Sequence, residues 1–273
     1  MMSIIGEAVR VSYRSPLWVA VIGQVLNRLN IGSFHLRYCF DAFPKKGYAY
    51  GLTQAVSLAK NLGHKRVAAL EFGVAGGNGL VALEQLARML EAERGVEVSV
   101  FGFDTGVGLP STGNDYRDLP YHWQQGFYRM DVEKLRRRLT KAQLILGDVR
   151  DTVAPFISQL GDMPIGFVSF DLDYYSSTAA ALRLFDAAAP TQMLPRLFVY
   201  FDDVIGASDE LYNEYTGQLL AIREFNAAHE NMKLAQIRHL RRPYALNMYC
   251  LHQFAHPDYC TFIGEKNQQA PLS

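Results

Sequence analysis

The sequence predicts an α/β protein: a mostly parallel sheet with helices on both faces and an antiparallel strand pair at its C-terminal end. Three observations carry that expectation. From Val67 onward, short apolar runs alternate with helix-forming runs, as in a parallel sheet built with helical crossovers. The stretch VAALEFGVAGGNG (67–79) is an apolar run reaching Glu71 and then a small-residue turn, followed at once by the helix former LVALEQLARMLEAE. The last two apolar runs, 232–240 and 244–254, are joined only by the polar turn RRP. Too little chain separates them for a helical crossover, so they should pair antiparallel at the sheet edge.

The elements follow in order. Strand 67–71 precedes helix 79–93, and strand 97–103 precedes a long irregular stretch. Helix 131–139 leads to strand 143–147, helix 150–160 to strand 165–170, and helix 177–188 to strand 197–201; helix 208–228 precedes the final pair. With that pair the sheet has seven strands. Residues 1–60 read as an N-terminal helical extension, with an apolar segment from Pro16 to Leu29 and a helix ending at Gly63, and residues 61–273 as the main domain. The apolar stripe around Trp18 to Leu26 is expected to pack on the core or on a second subunit, which makes a homodimer the expected assembly.

Composition excludes several classes. The chain has 273 residues, and Lys plus Arg balances Asp plus Glu at 27 each. Nothing in that balance offers the positive excess that nucleic acid requires. The run Arg136–Arg138 lies in a helical segment and reads as a solvated face. No apolar run reaches the ~20 residues that span a bilayer, and the N-terminus lacks the order of a signal peptide. Three cysteines without a close-spaced pair fit a reducing cytoplasm. The spacing His252, His256, Cys260 is set aside as a zinc site because no fixed helical face presents it.

The glycine turn defines the first candidate site. A backbone that turns tightly and approaches a ligand closely needs small residues, and the helix start beyond offers unpaired N–H groups. Asp104 ends the second strand, where a carboxylate is placed to bond the two ribose hydroxyls of a nucleoside. An adenosine-containing ligand is the expectation. Ligands in such sheets bind beyond the carboxyl ends of the strands. There this chain has Glu71, Asp104, Asp148, Asp171 with Asp173, and Asp202 with Asp203. So much negative charge along one edge is costly unless something positive or hydrogen-donating sits there. Oxygen ligands from two adjacent strand ends suit a hard cation such as Mg²⁺, while Asp173 reads as a cap for the helix beginning near Ser177.

These residues resemble a family. The glycine turn after Glu71, the acid ending the second strand, GDV at 147–149 and the antiparallel final pair are similar to class I S-adenosylmethionine-dependent methyltransferases, whose Rossmann-like fold is then expected. The segments GFDTGVGLP (102–110), GDVRDTV (147–153), FDLDYYSST (170–178) and FDD (201–203) resemble the macrocin O-methyltransferase group of sugar and natural-product O-methyltransferases, over roughly residues 67–205. The pattern Asp-x-Asp-x-Tyr-x-Ser-Thr is met by Asp171, Asp173, Tyr175, Ser177 and Thr178. Departures are Ala75 for the middle glycine, Leu172 for a usual glycine, and PTQMLPRLF before the last acidic strand.

The resemblance implies an O-methyltransferase acting on a hydroxyl of a small molecule. It implies S-adenosylmethionine contacts at Glu71, Gly73, Val74, Ala75, Gly77, Asn78, Gly79, Asp104, Thr105, Gly147, Asp148 and Val149, with Asp148 at the adenine amino group. It implies Mg²⁺ held by Asp171, Asp202 and Asp203. Asp171 is also a candidate proton acceptor, and His122 a candidate general base. His122 lies in the long insert 106–131 with Tyr116, Tyr121, Trp123, Phe127 and Tyr128, rings suited to an acceptor. Two other readings share parts of the pattern: an NAD-dependent oxidoreductase, and a non-catalytic methyltransferase-like binding protein.

Overall fold

The computed structural model describes residues 17–111, 113–238, 240 and 242–264. Residues 1–16 of the expected N-terminal extension and residues 265–273 lie outside them. Helices α1 (Leu17–Leu29), α2 (Phe34–Cys39) and α3 (Lys46–Asn61) lead into strand β1 (Arg66–Phe72). Then follow α4 (Asn78–Arg94), β2 (Glu97–Asp104), α5 (Val132–Arg138), β3 (Gln143–Leu146), α6 (Val149–Leu160) and β4 (Ile165–Phe170). The chain continues through α7 (Tyr175–Leu182), α8 (Leu184–Ala187), β5 (Met193–Phe201), α9 (Gly217–Ala228), β6 (Met232–Gln236) and β7 (Met248–Gln253).

One seven-stranded sheet has the order β3-β2-β1-β4-β5-β7-β6. Neighbours among β1 to β5 are parallel, and β7 runs antiparallel between β5 and β6. A dinucleotide-binding Rossmann sheet has the parallel order 3-2-1-4-5-6. The inserted antiparallel β7 separates this chain from it. Two cores cover the sheet. On one face Tyr48, Leu52 and Val56 of α3 pack with Leu80 and Leu83 of α4, so α3 forms part of that layer. On the other, Phe156, Leu182 and Phe225 bring in α6, α7 and α9.

The strand register is what builds the site. Phe103, Phe72, Phe170 and Phe201 are lateral neighbours on β2, β1, β4 and β5. Their rings stack with centroids 4.6, 5.3 and 4.9 Å apart, close to the spacing of the strands themselves. The residue after each ring opens the carboxyl edge: Asp104, Gly73, Asp171 and Asp202. Glu71 comes one residue before its ring, and side chains alternate faces along a strand. It therefore stands on the opposite face, beside Ser169 in the register.

Several element bounds differ from the sequence expectation. The helix expected over 208–228 begins only at Gly217. Before it Leu211 has φ 54°, and the Asn213 side chain accepts the Tyr215 N–H in a turn that competes with helix. The helix expected over 177–188 is two pieces, α7 and α8, meeting at Arg183. Strand β5 extends back to Met193 through Pro195, next to a register shift against β4; proline is tolerated at such irregularities. The terminal pair is antiparallel as expected, but its connection is longer than RRP. Residues Pro243–Asn247 form a 3₁₀ turn, held where the Asn247 amide donates to Phe201 O and Asp202 O. Arg136, Arg137 and Arg138 are exposed. No helix among the described residues is long and apolar enough to cross a membrane.

Candidate active site

The turn between β1 and α4 takes its shape from left-handed backbone. Gly73, Ala75 and Gly77 have φ of 84°, 45° and 80°. Asp104 fastens this turn from the next strand: its Oδ2 accepts the N–H groups of Val74 and Ala75 at 2.9 Å each, and its Oδ1 accepts Gly106 N–H at 2.6 Å. A carboxylate has about four acceptor positions, so Asp104 is largely committed to the loop it faces. Ala75 stands where left-handed backbone costs an L-residue about 1–2 kcal/mol. Ala75→Gly should stabilise the protein by about 0.5–1 kcal/mol after the extra chain entropy of glycine is subtracted. A melting temperature unchanged or lowered would contradict this strain.

A cleft of about 370 Å³ opens above the ladder of rings. Phe72 and Phe103 form its floor, with Gly73, Ala75, Asp104 and Thr105 on one side. Gly147, Asp148 and Val149 close the next side, and Asp171, Asp173, Asp202 and Asp203 the far end. Asp148 caps α6, accepting Arg150 N–H at 2.8 Å, and pairs with the Arg150 guanidinium; that pairing holds its carboxyl below the usual range. From the insert, Trp123 and Tyr128 complete the wall. The Trp123 Nε1 atom is buried with no protein partner, a donor left for a polar ligand.

Three carboxylates converge at the far end. Asp171, Asp202 and Asp203 each offer an oxygen, and these lie within 4.8 Å of one another. The Tyr200 hydroxyl donates to Asp202 Oδ1 at 2.8 Å, and Asp173 N–H donates to Asp203 Oδ2 at 2.9 Å. Lys45 Nζ stands 3.9 Å from Asp171 Oδ2. Burial, then the charge of Asp202, pushes Asp171 up to about 7. Burial and the charges of Asp171 and Asp202 push Asp173 up to about 7 as well. Asp203 is raised by burial and by Asp173 and Asp171. Such mutual penalties vanish when a cation is shared. Three oxygen donors without nitrogen or sulfur fit a hard divalent ion.

The other candidate residues lie off the cleft wall. The Glu71 carboxyl is buried, accepts the Tyr48 hydroxyl at 2.7 Å through Oε1, and leaves Oε2 without a partner. Burial raises its pKa to about 8, the Tyr48 hydrogen bond opposing. It supports the first turn of α4 from beneath, where a Cβ on Gly79 would overlap it. Val74 is buried, Gly77 is the N-cap of α4, and Asn78 Oδ1 accepts from Arg138. His122 does not line the cleft but lies 3.8 Å from Asp209 and 3.8 Å from Glu210, an acid that does.

One role differs from the sequence reading. Asp173 does not cap α7: the N-cap is Tyr174, and Asp118 from the insert accepts Ser176 N–H and Oγ–H at 2.7 and 2.8 Å. Asp173 instead takes a left-handed φ of 57° and lines the cleft. Asp202 and Asp203 cap no helix, since none begins between Phe201 and Gly217. Sequence reasoning missed Tyr48 and Asp118, neither of which carries a local signal. The pairing of Asp173 with Asp171 at two-residue spacing was the signal for Asp173. His252 and His256 are engaged with Tyr259 and with the Asp258 N–H.

No family model and no curated protein sequence matches the chain. Solved structures do. CalS11, a calicheamicin methyltransferase, is similar with a TM-score of 0.51 and 20% identity, covering 88% of this chain and 93% of its own. The O-methyltransferase NovP is similar with a TM-score of 0.52 and 15% identity, covering 87% of this chain and 98% of its own. The chain has the Rossmann-like class I methyltransferase fold.

Proposed function

We propose that this protein transfers the methyl group of S-adenosylmethionine to a hydroxyl of a small molecule, with a divalent cation such as Mg²⁺ held by Asp171, Asp202 and Asp203. One observation carries the reading. The register that stacks four phenylalanines sets a glycine turn, a nucleoside-type acid and a carboxylate cluster around a single cleft. The fold shared with CalS11 and NovP supports it.

When bound, the sulfonium supplies an electrophilic methyl group, and the cation supplies positive charge that favours an ionised hydroxyl. Gly73 and Ala75 let the backbone approach the cofactor, and Asp104, Thr105, Gly147, Asp148 and Val149 surround its nucleoside. Glu71 sets the turn from below without touching the cleft. Asp171, Asp202 and Asp203 would hold the cation, whose charge would help to position the acceptor hydroxyl. Asp173, a carboxylate on the same wall outside the cation set, is the residue placed to receive the proton.

The test is methyl transfer from labelled S-adenosylmethionine to a library of sugars and phenols, with MgCl₂ and then with EDTA. Transfer that stops in EDTA and returns with Mg²⁺ supports both halves of the reading. Transfer at an equal rate in EDTA removes the cation and leaves Asp173 as an unaided base.

A further inference from the structure

A second, larger cavity, about 1010 Å³, lies between α1 and the connection from β6 to β7. Its walls are mixed in a specific way. Val19, Phe40, Phe43 and Ile237 give an apolar body. Lys46, Arg238 and Arg242 stand against one carboxylate, Asp41, among the residues lining it. Asp41 is already matched, since Arg242 Nη1 is 2.8 Å from its Oδ2 and both side chains are about four-fifths buried. Lys46 and Arg238 leave the groove with surplus positive charge, opposite in sign to the acidic end of the cleft.

The groove reaches the reacting edge from two directions. Lys45 sits between Pro44 and Lys46, both on the groove wall, and its ammonium is 3.9 Å from Asp171 on the cleft wall. Asn247 follows the groove residue Leu246, and its amide donates to the carbonyl of Asp202 at 3.1 Å. The 370 Å³ cleft has the volume of a single small-ligand site, so an acceptor sharing it with a cofactor must extend elsewhere.

We propose that this groove seats the body of the methyl acceptor, and that the acceptor is an apolar molecule carrying an anionic group, phosphate or carboxylate, held by Lys46 and Arg238. The inference rests on the methyltransferase reading for the word acceptor, but the anion-binding groove can be tested apart from it.

The probe is 2-naphthyl phosphate, compared with neutral 2-naphthol by calorimetry on the full chain. The phosphate should bind more tightly than the naphthol and weaken with added salt, while the naphthol should not respond to salt. The double charge reversal Lys46→Glu, Arg238→Glu, on exposed side chains, should weaken the phosphate about tenfold or more and leave the naphthol within about twofold. The same reversal at exposed Lys65, in the turn before β1, should change neither. Tighter binding of 2-naphthoate than of the phosphate would keep the anion site and assign it to carboxylates. Equal binding of charged and neutral probes, or equal weakening by Lys65→Glu, would overturn the proposal. S-adenosylhomocysteine titrated into the same samples separates the two failures. If it binds while the probes do not discriminate, only the groove assignment falls; if the probes discriminate and it does not bind, only the methyltransferase reading falls.

Discussion

Asp171→Asn is expected to lower turnover about 100- to 1000-fold, the scale seen when one group stabilising a transition state is removed, while S-adenosylhomocysteine affinity stays within a few fold. Asp171 is at the carboxylate end of the cleft, and the nucleoside contacts are assigned to Asp104 and Asp148 at the other. The same substitution has a signature in stability that needs no acceptor. The folded-state pKa of Asp171 is raised from the ordinary 3.8 to about 7. Between those values the folded protein binds a proton that the unfolded chain has lost, so stability falls as pH rises. It is fully present below about pH 4 and lost as pH passes 7. In EDTA, asparagine should make that slope shallower. A variant with normal turnover, or a slope unchanged between about pH 4 and 7, would remove Asp171 from the account.

Gly73→Ala should be the most damaging single change in the fold. Gly73 has φ 84°, and a Cβ there would overlap the backbone carbonyl of Asp171. No side chain can rotate away to relieve it. Gly73 N–H also donates to Phe103 O, and Asp171 N–H to Phe72 O, so the clash forces apart the strand ends that form the cleft. We expect a loss of about 3 kcal/mol or more, combining left-handed strain with overpacking, and a fall in melting temperature of roughly 6–12 °C. S-Adenosylhomocysteine binding should be lost with it. Wild-type stability and binding in Gly73→Ala would mean that this turn does not approach β4 as closely as described.

Most of the frame was legible in the sequence because its signals are local. A strand followed by a glycine turn, an acid ending β2, and two apolar runs too close for a crossover each depend on neighbouring residues. What escaped reading depends on register and on long-range contact. Whether Glu71 reaches the edge with Asp104 and Asp171 turns on register: it lies two residues short of them, where its carboxyl meets Tyr48 instead. The cap on α7 comes from Asp118, far back in the insert, so the helix start gave no sign of it. Glu84 is similar: it is buried within α4, where its oxygens accept the backbone N–H groups of Thr140, Lys141 and Ala142 ahead of β3. The groove holding Lys46 and Arg238 joins segments nearly two hundred residues apart, and no spacing rule reaches that far.

The exposed face of α1 also depended on structure. Val19 is buried, but Trp18, Val21 and Val25 are about half exposed. The sequence expected this stripe to be covered by core or by a second subunit; among the described residues the core covers only part of it. We propose that a second copy covers the rest.

The central claim is that the cleft over the phenylalanine ladder is built for S-adenosylmethionine. Calorimetry of the purified chain with S-adenosylhomocysteine and, separately, with NAD tests it most directly. The account predicts one-to-one binding of S-adenosylhomocysteine and no heat with NAD. Binding of NAD with none of S-adenosylhomocysteine would contradict it.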